Sequence, residues 1–215
     1  MVFGVDSTVG ERGQAADHHW TNAAHAPARQ RAGLAQARTP PTLRSRKIPM
    51  HPAELPVPEL LQQCDVVHTR RSGPGGQHRN KVQTAVVLTH RPSGLRAEAS
   101  ERRSQAENLE VATGRMRRSL AVSVRTYRPL DCSPSELWKS RLRGTRIEIN
   151  AEHADFPALL AESLDLLAQA DWNAPELAPR LGTTLSQLVK FWKKEPAALA
   201  RLNGERAQRG LGKLE

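Results

Sequence analysis

Residues 66–97 constrain the fold of this chain more than any other stretch. Two short runs rich in β-branched residues flank a glycine-rich loop, a Pro-Ser-Gly turn follows the second run, and the whole stretch holds no Asp or Glu. Asp65-Val66-Val67-His68-Thr69 reads as a strand, Ser72 to Gln77 as the loop, and Thr84 to His90 as a second strand. Arg91-Pro92-Ser93-Gly94 places proline at the second and glycine at the fourth position of a turn. Leu95, Ala97 and Ala99 then alternate with Arg96, Glu98 and Ser100, a third strand with one buried face that should pair with the second as a hairpin. From about Arg103 to Val122, residues Ala106, Leu109, Thr113, Met116 and Leu120 recur at helical spacing, so a long helix should cover the sheet, with Ser104 at its start. The expected class is α+β: a small domain over residues 55–124, a mixed β-sheet packed by a long helix.

The flanks differ in character. Residues 1–49 show no sustained period of 2 or 3.6, and Pro27, Pro40 and Pro41 oppose a helix there. They read as a disordered leader or a mis-called start, with Met50 as the true one, in preference to an organelle transit peptide. Residues 125–134 read as a linker and residues 135–215 as an all-helical C-terminal domain. Its helices are expected at about Ser135 to Arg143, Pro157 to Ala170, Ala174 to Leu181, Leu185 to Lys194 and Pro196 to Arg209. Leu177, Ala178, Leu181, Gly182, Leu188 and Phe191 have the spacing of a helix-turn-helix, with Lys190, Lys193 and Lys194 flanking its second helix.

Composition narrows the partners. Thirty-two Lys and Arg against 22 Asp and Glu give a formal charge of +10, which suits a polyanion such as nucleic acid. Cys64 and Cys132 have no metal-ligand spacing, and no apolar run approaches the roughly 20 residues that span a bilayer. No metal, cofactor or membrane is therefore expected.

The chemistry sits in Arg70-Arg71-Ser72-Gly73-Pro74-Gly75-Gly76-Gln77-His78-Arg79-Asn80-Lys81. This segment resembles the catalytic GGQ loop of class I peptide chain release factors and the related codon-independent rescue hydrolases, whose pattern is roughly S-G-x-G-G-Q-H-x-N. The likeness continues through Thr84-Ala85-Val86, the Pro92-Ser93-Gly94 turn, and Arg103-Ser104-Gln105 with Asn108, which match the family's R-S-Q-x-x-N helix start. About a third of the chain is covered, in order. Arg79 departs from the family, which often has an apolar residue there.

The resemblance implies hydrolysis of the peptidyl-tRNA ester in the peptidyl transferase centre, with Gly75, Gly76 and Gln77 as the catalytic residues. The residues themselves agree. Adjacent glycines allow close backbone approach. The Gln77 amide does not titrate, so it is no general base. Its role is to present a backbone N–H to the developing oxyanion and to shape the water site, a donor worth about 10² to 10³ in rate. Arg70, Arg71, Ser72, His78, Arg79, Asn80, Lys81, Arg103 and Gln105 are the candidate RNA contacts, with His78 assigned to phosphate bonding or packing rather than proton transfer. The implied partners are large-subunit rRNA and peptidyl-tRNA, met by a monomer in the cytoplasm. Stop-codon readers carry a long recognition region before the GGQ domain, and no codon-reading tripeptide is recognisable here, so rescue without a codon is expected. The rescue hydrolases end in a basic tail, whereas Arg206, Arg209 and Lys213 lie in a patterned helical segment. The alternative is a non-catalytic RNA- or DNA-binding module that uses the C-terminal helices.

Overall fold

The structure, a computed structural model, describes residues 49–70 and 83–215. The leader up to residue 48, and within the loop Arg71, Ser72, Gly75, Gly76, Gln77, His78, Arg79, Asn80 and Lys81, lie outside the described residues. Residues Arg46–Glu215 form one compact unit.

Helix α1, Val57–Gln62, begins with Pro58 in its first turn, where a missing N–H costs nothing. Strand β1 is Cys64–Thr69, β2 is Ala85–His90 and β3 is Arg96–Ala99, in the order β1-β2-β3. Every pairing among them is antiparallel, so the described sheet is antiparallel where the sequence suggested a mixed one. The central strand β2 opens with four apolar residues, Ala85, Val86, Val87 and Leu88, all of them buried, so both of its faces are covered there. The hairpin turn is as expected: Gly94 adopts φ +69° and its N–H reaches the His90 carbonyl at 2.8 Å. Ala97 and Ala99 face inward while Arg96 and Glu98 face out.

Helix α2, Gln105–Ser123, packs on β2 and β3. Its buried face runs through Asn108, Ala112, Met116 and Leu120, successive i+4 positions. The expected face began at Ala106, which is exposed, with Leu109 half-buried. The seam is offset because a polar residue, Asn108, occupies its first core position.

The C-terminal part is helical apart from one hairpin that sequence periodicity did not suggest. Helix α3 spans only Glu136–Ser140, started by Ser135, whose hydroxyl accepts the Trp138 N–H at 3.0 Å. The expected helix to Arg143 stops early because Leu142–Arg143 (β4) pairs with Arg146–Ile147 (β5) around Gly144, φ +58°. Helix α4, Phe156–Gln169, is buried on all sides from Phe156 to Leu167, the mark of a central core helix. Around it lie α5, Ala174–Arg180, α6, Leu185–Trp192, and α7, Pro196–Gln208. Trp138 and Phe156 pack against Phe191 with ring centroids 5.7 and 5.3 Å apart. The core is continuous from Val86 and Leu88 of the sheet to Leu188 and Leu202 of the last helices. No described helix is long and apolar enough to cross a membrane.

Residues 125–134 run along α4 and are tied to it by ions. Arg125 faces Asp165 at 3.2 Å, and Arg128 bridges Glu54 at 2.5 Å and Glu162 at 3.4 Å. Ser135 donates its backbone N–H to Glu162 at 2.7 Å.

Candidate functional site

The loop is defined by where its two ends leave the sheet. Thr69, the last residue of β1, pairs with Ala85, the first of β2, so both ends of the segment 70–84 spring from one end of one strand pair. The outgoing strand is bounded by Arg70, which is exposed and has no hydrogen bond or ion pair to a described residue.

The returning end is held by helix α2. Asn108 is fully buried, and its amide donates to the carbonyls of Thr84 at 2.7 Å and Arg102 at 2.9 Å. Its oxygen accepts the Arg102 N–H at 2.9 Å. One side chain thus closes three backbone groups that would otherwise be buried without partners. Gln105, one turn nearer the helix start, donates its amide to the Gln83 carbonyl at 2.5 Å. Ser104 occupies the N-cap as expected, but its hydroxyl makes no capping bond; Asn108, reaching back to Arg102, does the corresponding work. The R-S-Q-x-x-N pattern is therefore a latch: two amides, at consecutive turns of one helix, grip two consecutive carbonyls at the root of the loop.

Gln105 was expected to touch RNA, and the structure places its side chain on the loop root. Arg103 and Arg102 stand exposed beside it, and neither side chain has a hydrogen bond or ion pair to a described residue. Arg70, Arg102 and Arg103 thus stand on backbone at or next to the sheet end from which the loop departs, an arrangement that favours a polyanion. The carboxylate nearest in sequence, Glu101, pairs with Arg115, whose hydrogen bond holds its carboxyl below the usual range.

The acid-free stretch is not one uniform patch. Arg91 lies at the opposite end of the sheet, 2.9 Å from Asp65, and Arg96 is 3.7 Å from Glu98. There His90 is buried with its ring nitrogens 2.7 Å from Ser93 Oγ and 3.1 Å from Gln63 Oε1, which braces the turn; burial lowers its pKa. Sequence alone gave Asn108 no role of its own. The available signal was a polar residue on the core seam of an amphipathic helix. Among the described residues no group of three or more His, Cys, Asp or Glu could hold a metal ion.

Part of the chain is similar in sequence to known proteins. Residues 61–147 match the RF-1 domain family. The chain is 40% identical over 78 residues to a chloroplastic peptide chain release factor of Arabidopsis thaliana, covering 35% of this chain and 17% of that protein. An uncharacterized mitochondrial peptide chain release factor-like protein of Saccharomyces cerevisiae is 37% identical over 86 residues, 39% of this chain and 54% of the relative. Peptide chain release factor 2 of an Acidovorax strain is 49% identical over 51 residues, 24% of this chain and 14% of the relative. The chain thus spans about half or less of the length of these relatives.

Proposed function

We propose, for a chain whose residues 61–147 match the RF-1 domain family and resemble peptide chain release factors, that it hydrolyses the peptidyl-tRNA ester on the ribosome without reading a stop codon. What carries the reading is the Gly75-Gly76-Gln77 triplet, borne on a strand pair whose returning end is gripped by Gln105 and Asn108.

The chemistry needs little from the protein beyond placement. Ester hydrolysis builds charge on the carbonyl oxygen, and a fixed backbone N–H at Gln77 would meet it. Water held by the Gln77 side chain attacks, and the ribosome and tRNA supply the remaining groups. A loop with no carboxylate from Val66 to Ala97 enters an RNA pocket without self-made repulsion. Arg70, Arg102 and Arg103 add attraction at its base. Large-subunit rRNA and peptidyl-tRNA are the partners, and the cytoplasm is the compartment, under this reading. Codon independence is part of this proposal, and the paired stopless and stop-codon complexes below decide it.

The test is peptide release by the full chain on ribosomes stalled at the end of a stopless mRNA, beside a complex paused at a stop codon. Release is expected on the stopless complex. Gly76→Ala should abolish it, while Gln77→Ala, which keeps the backbone N–H, should lose less than the roughly 10² to 10³ of a missing donor. Release only at a stop codon would establish a decoding factor instead. Ribosome binding with no release in either complex would leave a binding module with an inactive loop.

A further inference from the structure

We infer that the groove between the β4–β5 hairpin and helix α6 clamps the phosphate backbone of an RNA strand. The groove, about 290 Å³, is floored by Ile147, Ile149 and Phe191 and rimmed by Arg146, Lys190 and Lys194.

The hairpin contributes Arg146. Arg143-Gly144-Thr145-Arg146 closes a two-residue turn with Gly144 left-handed at its first central position. The register sets Arg143 directly opposite Arg146. Like charges so placed destabilise a strand pair, and the one described carboxylate in reach is Glu148, on the Arg146 side. Arg143 donates to the carbonyls of Ser140 and Leu142, and Arg146 stands 3.8 Å from Glu148 with both side chains at least half exposed.

Helix α6 and the residues after it contribute Lys190 and Lys194, with Lys193 next to them in sequence. Lys190 and Lys193 are exposed and form no ion pair with a described residue. Lys194 donates to the Ile149 carbonyl. Its pKa is lowered by burial first and then by Lys190 and Arg146, which places those cations close around it.

The frame that gathers these charges is rigid. Thr183 Oγ donates to the Thr145 carbonyl at 2.6 Å, which pins the hairpin tip to the turn between α5 and α6. In that turn Gly182 is left-handed, and a Cβ added to it would meet Leu142 Cδ1 at 3.4 Å. Trp138 Nε1 donates to the Leu181 carbonyl at 2.9 Å from the inner side. Three cations, Arg146, Lys190 and Lys194, are thus brought to one groove, with Glu148 the single carboxylate on its lining. The missing counter-charge must come from outside, and a chain of phosphates supplies it from both sides of a groove. The choice of RNA over DNA rests on the ribosomal reading above; the phosphate site rests on geometry alone.

The experiment compares the full chain with an Arg146→Ser/Lys190→Ser variant and a charge-preserving Arg146→Lys/Lys190→Arg variant. Arg96→Ser, at the far end of the β-sheet, is the control. Equilibrium binding to purified 70S ribosomes, to extracted rRNA and to duplex DNA is measured across a salt series. The serine variant should bind ribosomes and rRNA on the order of tenfold more weakly, with the slope of log K against log[salt] reduced by about 2. The charge-preserving variant and the control should stay near wild type. Unchanged affinity and slope in the serine variant would overturn the clamp, as would equal loss in the charge-preserving variant, which would indicate damage to the fold. Tighter binding of the wild type to duplex DNA than to rRNA would overturn the RNA assignment. A wild-type chain that releases no peptide, yet loses ribosome affinity in the serine variant, would refute the hydrolase reading and uphold the clamp.

Discussion

His51 is fully buried between two parts of the chain 73 residues apart. Its Nδ1 accepts the Ala53 N–H at 3.0 Å, which fixes the proton on Nε2, and Nε2 lies 3.1 Å from the Val124 carbonyl as donor. Burial, helped by Arg125 and Arg128 and opposed by the Val124 bond, lowers its pKa to about 4. The unfolded imidazole takes a proton below its ordinary 6.5, while the folded one stays neutral. Stability from this residue is therefore present above pH 6.5 and falls away as pH drops toward 4, by up to roughly 3 kcal/mol. Asp165 acts in the reverse sense. Burial raises its carboxyl to about 7 against the pull of Arg125, so the folded state keeps a proton that the unfolded state has lost, and stability falls as pH rises from about 4 to 7. The two partly cancel in the wild type. The His51→Gln variant should expose the difference: between pH 4 and 6.5 the slope of unfolding free energy against pH should drop by about one proton relative to wild type. Denaturant melts at stepped pH read this directly, and parallel curves for the two proteins would contradict it.

At the level of elements, two helices act as anchors rather than as plain packing surfaces. Helix α4 carries Glu162 and Asp165 on a buried surface, and these hold Arg125, Arg128 and Ser135 in the segment after α2. Removing one member of such a set leaves a buried charge without its partner, which is why the segment is fixed despite little apolar content. Helix α2 anchors the loop root. Alanine at Asn108 would strip partners from the Thr84 and Arg102 carbonyls and the Arg102 N–H. Destabilisation of about 2 to 4 kcal/mol is expected in chemical denaturation. Asn108→Asp should fare no better, since an ionised carboxylate cannot donate to two carbonyls; wild-type stability in either variant would remove the latch from the argument.

For the whole molecule, the continuous core couples the sheet to the C-terminal helices. Leu120 of α2 is fully buried in the same cluster as Trp138 and Trp192. The described unit should unfold in one step, with tryptophan fluorescence and far-UV circular dichroism giving coincident curves. Leu120→Ala should shift both together by about 2 to 5 kcal/mol. Two separated transitions would mean that the C-terminal helices fold on their own. The last helix is closed onto this body by its own cations. Arg206 is buried and donates to the carbonyls of Trp172 and Gly212 at 2.5 and 2.8 Å, and Arg209 pairs with Asp171 at 2.9 Å and Glu205 at 3.0 Å. Asp171 and Trp172 are left-handed without being glycine, a conformation that persists only where the surroundings enforce it, and the two arginines do so. Arg206 and Arg209, which the sequence set in a patterned helical segment, are thus occupied in the fold, whereas Lys190 and Lys193 form no ion pair with a described residue.

Local chemistry was legible from the residues alone. The strands, the Pro92-Ser93-Gly94 turn, the glycine turn at Gly182 and the boundaries of most helices follow from alternation, helical periodicity and left-handed glycine, all set by neighbours a few residues away. The Gly75-Gly76-Gln77 triplet and its flanking motifs were likewise present in the sequence as a chemical proposal. Tertiary structure decided what depends on distant partners. It turned Gln105 and Asn108 into a grip on Gln83 and Thr84, shifted the α2 seam off Ala106, and cut α3 short to free Leu142 and Arg143 for a hairpin. It also paired Arg91, Arg206 and Arg209 with nearby acceptors while setting Arg146, Lys190 and Lys194 around an open groove. A charge or an amide carries no mark in the sequence of which group will face it. That is settled only when elements tens of residues apart are packed, because burial makes an unmet polar group costly and so selects its partner.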